Sequence, residues 1–161
     1  MTRRAHPTRG GFTLIEAVIV VVVLALAVPA GMRMLAEAGE ARRQGAQTAR
    51  ATTLATGVIE QVIADVNSPT IGFDALADDA TYLSTPSTGL YARLAGIASP
   101  YSTLGITYEV EIGELSDRTG TVTGDADEDV FRVVTVRATY DDPDGTALEL
   151  PISTILTEFG S

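Results

Sequence analysis

Cysteine, lysine and tryptophan are absent from this 161-residue sequence, and histidine occurs once, at His6. The lack of cysteine excludes disulfides, thiol catalysis and thiolate metal ligation. A chain trimmed beyond His6 also lacks imidazole, the side chain most used as a general base and as a transition-metal ligand. Serines are numerous, but without a mature histidine or lysine none has an evident activating base. The carboxylate pairs Asp78–Asp79 and Asp141–Asp142 stand in turn-like contexts where solvation explains them, and the glycines show no phosphate-loop spacing. The expectation is a protein that is not an enzyme. Positive charge is scarce too. From Val66 onward 16 acids face only Arg93, Arg118, Arg132 and Arg137, within a chain of net charge −10. A body that acidic is a poor partner for phosphate backbones, so no nucleic acid is expected.

What the sequence does have is a long apolar run. Residues 1–11 are polar and basic, with Arg3, Arg4 and Arg9, and Phe12 to Leu35 then form an apolar segment broken only by Thr13, Glu16 and Arg33. About 20 apolar residues cross the ~30 Å hydrocarbon layer as a helix, and lipid leaves valine-rich backbone no alternative conformation. Pro29 and Gly31 predict a loosening near the far end of that run. Beyond it Leu54, Val58, Ile59, Val62, Ile63 and Val66 recur at three- and four-residue steps, one face of an amphipathic helix. Arg50, Glu60, Gln61 and Asp65 fall largely elsewhere on the wheel. One helix is expected from about Thr13 to about Val66, with residues 12–35 in the membrane and 36–66 amphipathic.

Residues 67–161 read as a head of mixed structure. Short helical pieces are expected around Phe73 to Leu76 and Tyr91 to Ile97. Strand alternation then dominates, with Ile106, Tyr108, Val110 and Ile112 on one face of the first strand. Val130 to Tyr140 and Thr146 to Leu156 follow, joined by the turn "DDPDG" of Asp141 to Gly145. Residues 113–129 read as an exposed loop between strands. Three or four antiparallel strands cannot shield one face alone, so the helical stripe ending at Val66 is the expected cover. The fold class is therefore α+β, a long N-terminal helix packed on a small antiparallel sheet. The five tyrosines are expected in core and rim.

Within the loop, Asp125, Asp127 and Asp129 alternate, with Asp117 nearby. Oxygen ligands so spaced suit calcium, but an EF-hand loop would need glycine where Val130 stands and glutamate where Val136 stands. A solvated acidic loop and a cation site both account for the spacing. No other cofactor is expected.

Three readings account for the N-terminus. A cleaved secretory signal would use the basic residues as its polar region and "ALA" at Ala25 to Ala27 as its cleavage site. Glu16 would then sit in the apolar core of that signal, at a penalty of about 2.5–3.5 kcal/mol near a helix centre. An uncleaved signal anchor holding an exported acidic binding domain is the second reading. The third uses every odd feature: "GGFTLIE" followed by a membrane-length helix resembles the signal of type IV prepilins and type II secretion pseudopilins. That resemblance covers residues 10–28. It implies that a membrane prepilin peptidase removes residues 1–11 by cutting after Gly11 and methylates the new amine of Phe12. It also implies a pilin-like fold, a cytoplasmic N-terminus, an inner-membrane span and a periplasmic head. Its implied partners are other pilin subunits, an inner-membrane assembly platform and membrane lipid. The glutamate that this family carries just inside the mature chain falls on Glu16. Two costly charges, Glu16 and the Phe12 amine of a neighbour, would then form one desolvated pair that fixes register.

The likeness has departures. Arg33 stands where many major pilins have proline, with Pro29 one turn earlier, and the usual paired cysteines are missing. The pattern from "ATTLATGVIEQVIADV" to the terminal hairpin is similar to I-type minor pseudopilins and V-type minor pilins, with H- and J-type minor subunits and a general pseudopilin left open beside them.

Overall fold

The structure is a computed structural model that describes residues 13–125, 127–142 and 144–157. Its elements run α1 (Leu14–Val66), a 3-10 helix (Phe73–Ala77), α2 (Asp79–Ser84), α3 (Leu90–Ser102), β1 (Thr107–Ser116), β2 (Phe131–Asp141) and β3 (Ala147–Thr157). The α+β class is as the sequence reads. Two compact units divide at Arg42/Arg43, the second of which carries the sheet.

The expected single helix is present and continues through Pro29. In its second half Ala51, Leu54, Ala55, Val58, Ile59 and Val62 are buried, a stripe that places them on one side. Two residues depart from the sequence reading. Ile63 is 36% exposed, whereas Asp65 is buried. The reason is phase: Asp65 follows Val58 by seven residues and Val62 by three, in line with the stripe, and Ile63 falls about a third of a turn from its centre. The helix closes as Asn67 donates its backbone N–H and side-chain amide to the Ile63 carbonyl, at 3.1 and 2.8 Å.

Between helix and sheet the chain is more helical than the sequence suggests. Asp78 caps α2 by accepting from the Thr81 N–H at 3.1 Å and the Thr81 hydroxyl at 2.7 Å. Helix α3 runs on to Ser102, beyond the expected Ile97, and packs Leu90 and Leu94 into the core. Gly89 joins the two helices. A Cβ there would lie 2.6 Å from the Thr85 nitrogen and 2.8 Å from the Leu83 and Thr85 carbonyl oxygens, all of them backbone. Gly89→Ala is therefore expected to destabilise the second unit by about 1–3 kcal/mol, read as a lowered urea midpoint with an unchanged slope.

The three strands form an antiparallel meander in the order β1-β2-β3. Val110, Val134, Val136, Ala138, Tyr140 and Leu156 share one core with the α1 stripe, Leu76, Tyr82 and Leu83. Residues 113–116, read from the sequence as loop, belong to β1. They escaped the pattern because register shifts between Ile112 and Leu115, which breaks the two-residue alternation. Gly113 permits the close approach, since a Cβ there would meet the Val133 carbonyl oxygen at 3.1 Å. The Gly113 carbonyl is covered by the buried Arg132, whose guanidinium donates to it at 2.7 Å.

The sheet edges differ in how they end. The Val110 N–H donates sideways to Tyr91 Oη at 3.3 Å, so Val110 directs its backbone groups away from β2 and its neighbour Glu109 directs them toward it. Glu109 pairs with Arg137, and Arg137 pairs on its other side with Pro151. The alternation therefore puts the Pro151 ring nitrogen on the open side of β3, where no ladder bond is lost.

Candidate functional site

The first half of α1 carries no core. Leu14, Ile15, Val18 to Leu24, Leu26 and Val28 are all at least 42% exposed. An 18-residue window there has a mean hydropathy of 2.6 and none of it is buried. A core helix of a water-soluble protein would hide such a stretch, and an exposed apolar face of that extent marks an interaction with lipid or other protein.

At the head of this segment Thr13 and Glu16 hold one another. The Glu16 N–H donates to Thr13 Oγ1 at 3.3 Å and the Thr13 hydroxyl donates to the Glu16 carboxylate at 3.4 Å. Thr13 also accepts on its carbonyl from the Glu16 and Ala17 N–H groups, each at 3.1 Å. A threonine followed three residues later by glutamate is the spacing of a capping box, and the carboxylate also faces the positive end of the helix dipole. That spacing was available in the sequence as a reason for Glu16 that needs no neighbour. The carboxylate is exposed within the described residues, open on the side away from Thr13. The expected cleavage point at Gly11 and methylation point at Phe12 lie outside the described residues.

The acidic loop uses its carboxylates internally. Asp117 accepts from the Thr119 and Thr121 N–H groups at 2.8 Å each and from the Thr119 hydroxyl. The bond from Thr121, followed by that from the Thr119 hydroxyl, holds the Asp117 carboxyl below the usual carboxylate range. Asp129 is buried and accepts from the Thr123 N–H and hydroxyl and from the Gly124 N–H at 2.7 Å. Desolvation pushes its pKa up, but these hydrogen bonds outweigh it and leave the carboxyl below its usual range. Asp125 accepts from the Asp127 N–H at 2.9 Å, an Asx turn. Among the described residues no three acidic or histidine side chains converge as a metal site requires. The alternate aspartates are brought into one loop, but Asp125 and Asp129 turn toward backbone donors.

A network that the sequence reading missed lies under α2 and α3. Asp65 receives a two-pronged contact from Arg93, at 2.6 and 2.7 Å, together with the Tyr82 hydroxyl at 2.6 Å and the Gln61 amide at 3.0 Å. The Arg93 guanidinium sits 5.7 Å from the centre of the Tyr82 ring. Burial, then the hydrogen bond to Asp65, raises the Tyr82 phenol well above its ordinary value. The sequence signal for this site was an acid in phase with an apolar stripe.

Compared with known proteins, residues 7–28 match the prokaryotic N-terminal methylation motif. The chain therefore carries the type IV prepilin-like signal, on the same residues where the exposed apolar helix begins. The motif implies processing by a prepilin peptidase and assembly with other pilin subunits, and together with the apolar helix it fits a membrane-anchored pilin. Neither a search of curated proteins nor one of solved structures found a match.

Proposed function

We propose that this chain is a structural, non-enzymatic subunit of a type II secretion pseudopilus or a type IV pilus. It is inserted in the inner membrane with its N-terminus cytoplasmic and its head periplasmic, cut after Gly11 and methylated on Phe12. It then assembles through α1, driven by an ATPase elsewhere in the system. The observation that carries this reading is the methylation motif leading directly into an apolar helix with no core of its own. Glu16 supplies the register. Its bond to Thr13 is long and exposed, so the carboxylate can exchange it for the Phe12 amine of a neighbour, a desolvated pair in place of two isolated charges. The terminal β2–β3 hairpin supports the likeness to I-type pseudopilins and V-type minor pilins.

A second reading is favoured by the Thr13–Glu16 cap, which gives the carboxylate a role in a lone helix. On that reading the chain is an exported acidic binding domain on an ordinary anchor. The intact mass of the protein from its native membrane separates the two. Loss of residues 1–11 and gain of one methyl group is the expected result. A start at Met1, or a cut near Ala27, overturns the subunit reading.

A further inference from the structure

The β2–β3 turn and two arginines of α1 share one level of the second unit. Tyr140 Oη and Thr48 Oγ1 are 2.9 Å apart, which fixes the end of β2 beside Thr48. The chain then enters the turn that carries Asp141 and Asp144, both exposed. Asp144 accepts from the Thr146 N–H at 2.9 Å, and this bond holds its carboxyl below the usual range, so it stays charged in neutral water. Arg43 lies five residues before Thr48 and Arg50 two after it. At about 100° per residue, each points within about 40° of the direction opposite Thr48. Both arginines are exposed, and neither forms an ion pair among the described residues. The molecule's own turn thus approaches the helix from the side that these arginines do not face.

Opposite charges at one level, on opposite sides of one helix, cannot satisfy each other within a molecule. They can do so between molecules, and the resulting contact is head-to-tail, so it repeats from copy to copy. Lipid phosphate is the competing source of negative charge. Arg43 and Arg50 follow Leu35, the end of the apolar run, by about 12 and 22 Å of helix. The headgroups extend about 5–7 Å past the hydrocarbon edge, so Arg43 comes within the ~8 Å over which charge is felt at physiological salt, whereas Arg50 lies well beyond it and lipid cannot serve the pair. A protein carboxylate is the better match.

We propose that the Asp141–Asp144 turn of one copy docks on Arg43 and Arg50 of a second copy of this chain. The contact rests on the subunit reading above. It gives the acidic heads a point of attraction where their net charge would otherwise drive them apart.

The absence of cysteine makes a clean test available. The full chain with Ala46→Cys and Thr146→Cys, two exposed positions beside the paired charges, is oxidised in its membrane. A ladder of trimers and longer species is expected, because two different positions are joined in each contact; either cysteine alone can give dimers at most. Adding Arg43→Glu and Arg50→Glu should lower the ladder about tenfold, and adding Asp141→Arg and Asp144→Arg to that chain should restore it. A ladder indifferent to these reversals overturns the contact, as does no ladder from a chain that is cut after Gly11 and recovered in filaments. If the reversal leaves the ladder but releases the protein from phosphatidylglycerol vesicles, the arginines serve lipid and the contact is overturned. Absence of both the cut and the filaments overturns the subunit reading, and the contact with it.

Discussion

Arg93→Ala is expected to cost the second unit about 3–5 kcal/mol, because it leaves the Asp65 carboxylate in the core without its cation. Asp65 is only 3% exposed, and α1, α2 and α3 meet at its two oxygens. Tyr82 and Gln61 remain as donors, but neither neutralises the charge. Part of the Arg93 side chain reaches solvent, which puts the effect toward the lower end of that range. A domain of this size has about 5–15 kcal/mol in total, so the loss should appear as a large drop in the urea midpoint. Replacing both residues with leucine is expected to cost less than Arg93→Ala alone, since no charge is then stranded. A shift below about 1 kcal/mol for Arg93→Ala would show that water reaches Asp65, contrary to its burial. The same network sets an alkaline limit. The Tyr82 phenol is raised above its usual value, so its contribution is complete below about pH 10 and is lost as pH rises past that point.

Glu16→Ala is expected to leave insertion and cutting intact and to lower the recovery of assembled filaments about a hundredfold or more, the scale of a desolvated charge pair. Loss of the helix cap alone is worth about 0.5–2 kcal/mol and would act on the lone subunit. Glu16→Gln separates the two roles. The amide can still receive the Thr13 hydroxyl seen at Glu16, but it brings no charge to a neighbouring amine. Assembly by the Gln variant at the native level would reduce Glu16 to a cap and remove the register role, while failure equal to that of the Ala variant would support it.

Residues that repeat with a period were legible in the sequence. The apolar run and the amphipathic stripe after it gave α1 to within a residue at each end, and the alternation of Val134, Val136 and Ala138 gave β2, because lipid or a buried face forces those patterns. What escaped depended on partners distant in sequence. Asp65 reads as a surface acid until Arg93, 28 residues later, is folded against it. Residues 113–116 read as loop because the strand shifts register at Gly113, and the shift is held by Arg132. The alternate aspartates were legible as a cluster, but not the backbone N–H groups that take up Asp117 and Asp129. At the N-terminus the motif and the glutamate were both visible. The reciprocal Thr13–Glu16 cap went unread although its spacing lay in plain view.

Pro151 bears on what crowding does to these heads. On the proposed subunit reading, heads brought close together would expose an eleven-residue edge strand, β3, to strand-to-strand zippering and aggregation. The outward row of donors on β3 is interrupted at its middle by a ring nitrogen that has no hydrogen. On the opposite edge the Val110 donor is taken up by Tyr91. Neighbouring heads can therefore touch without fusing into a continuous sheet. Contacts made by side chains alone can be broken one at a time, so heads that meet in this way can also part.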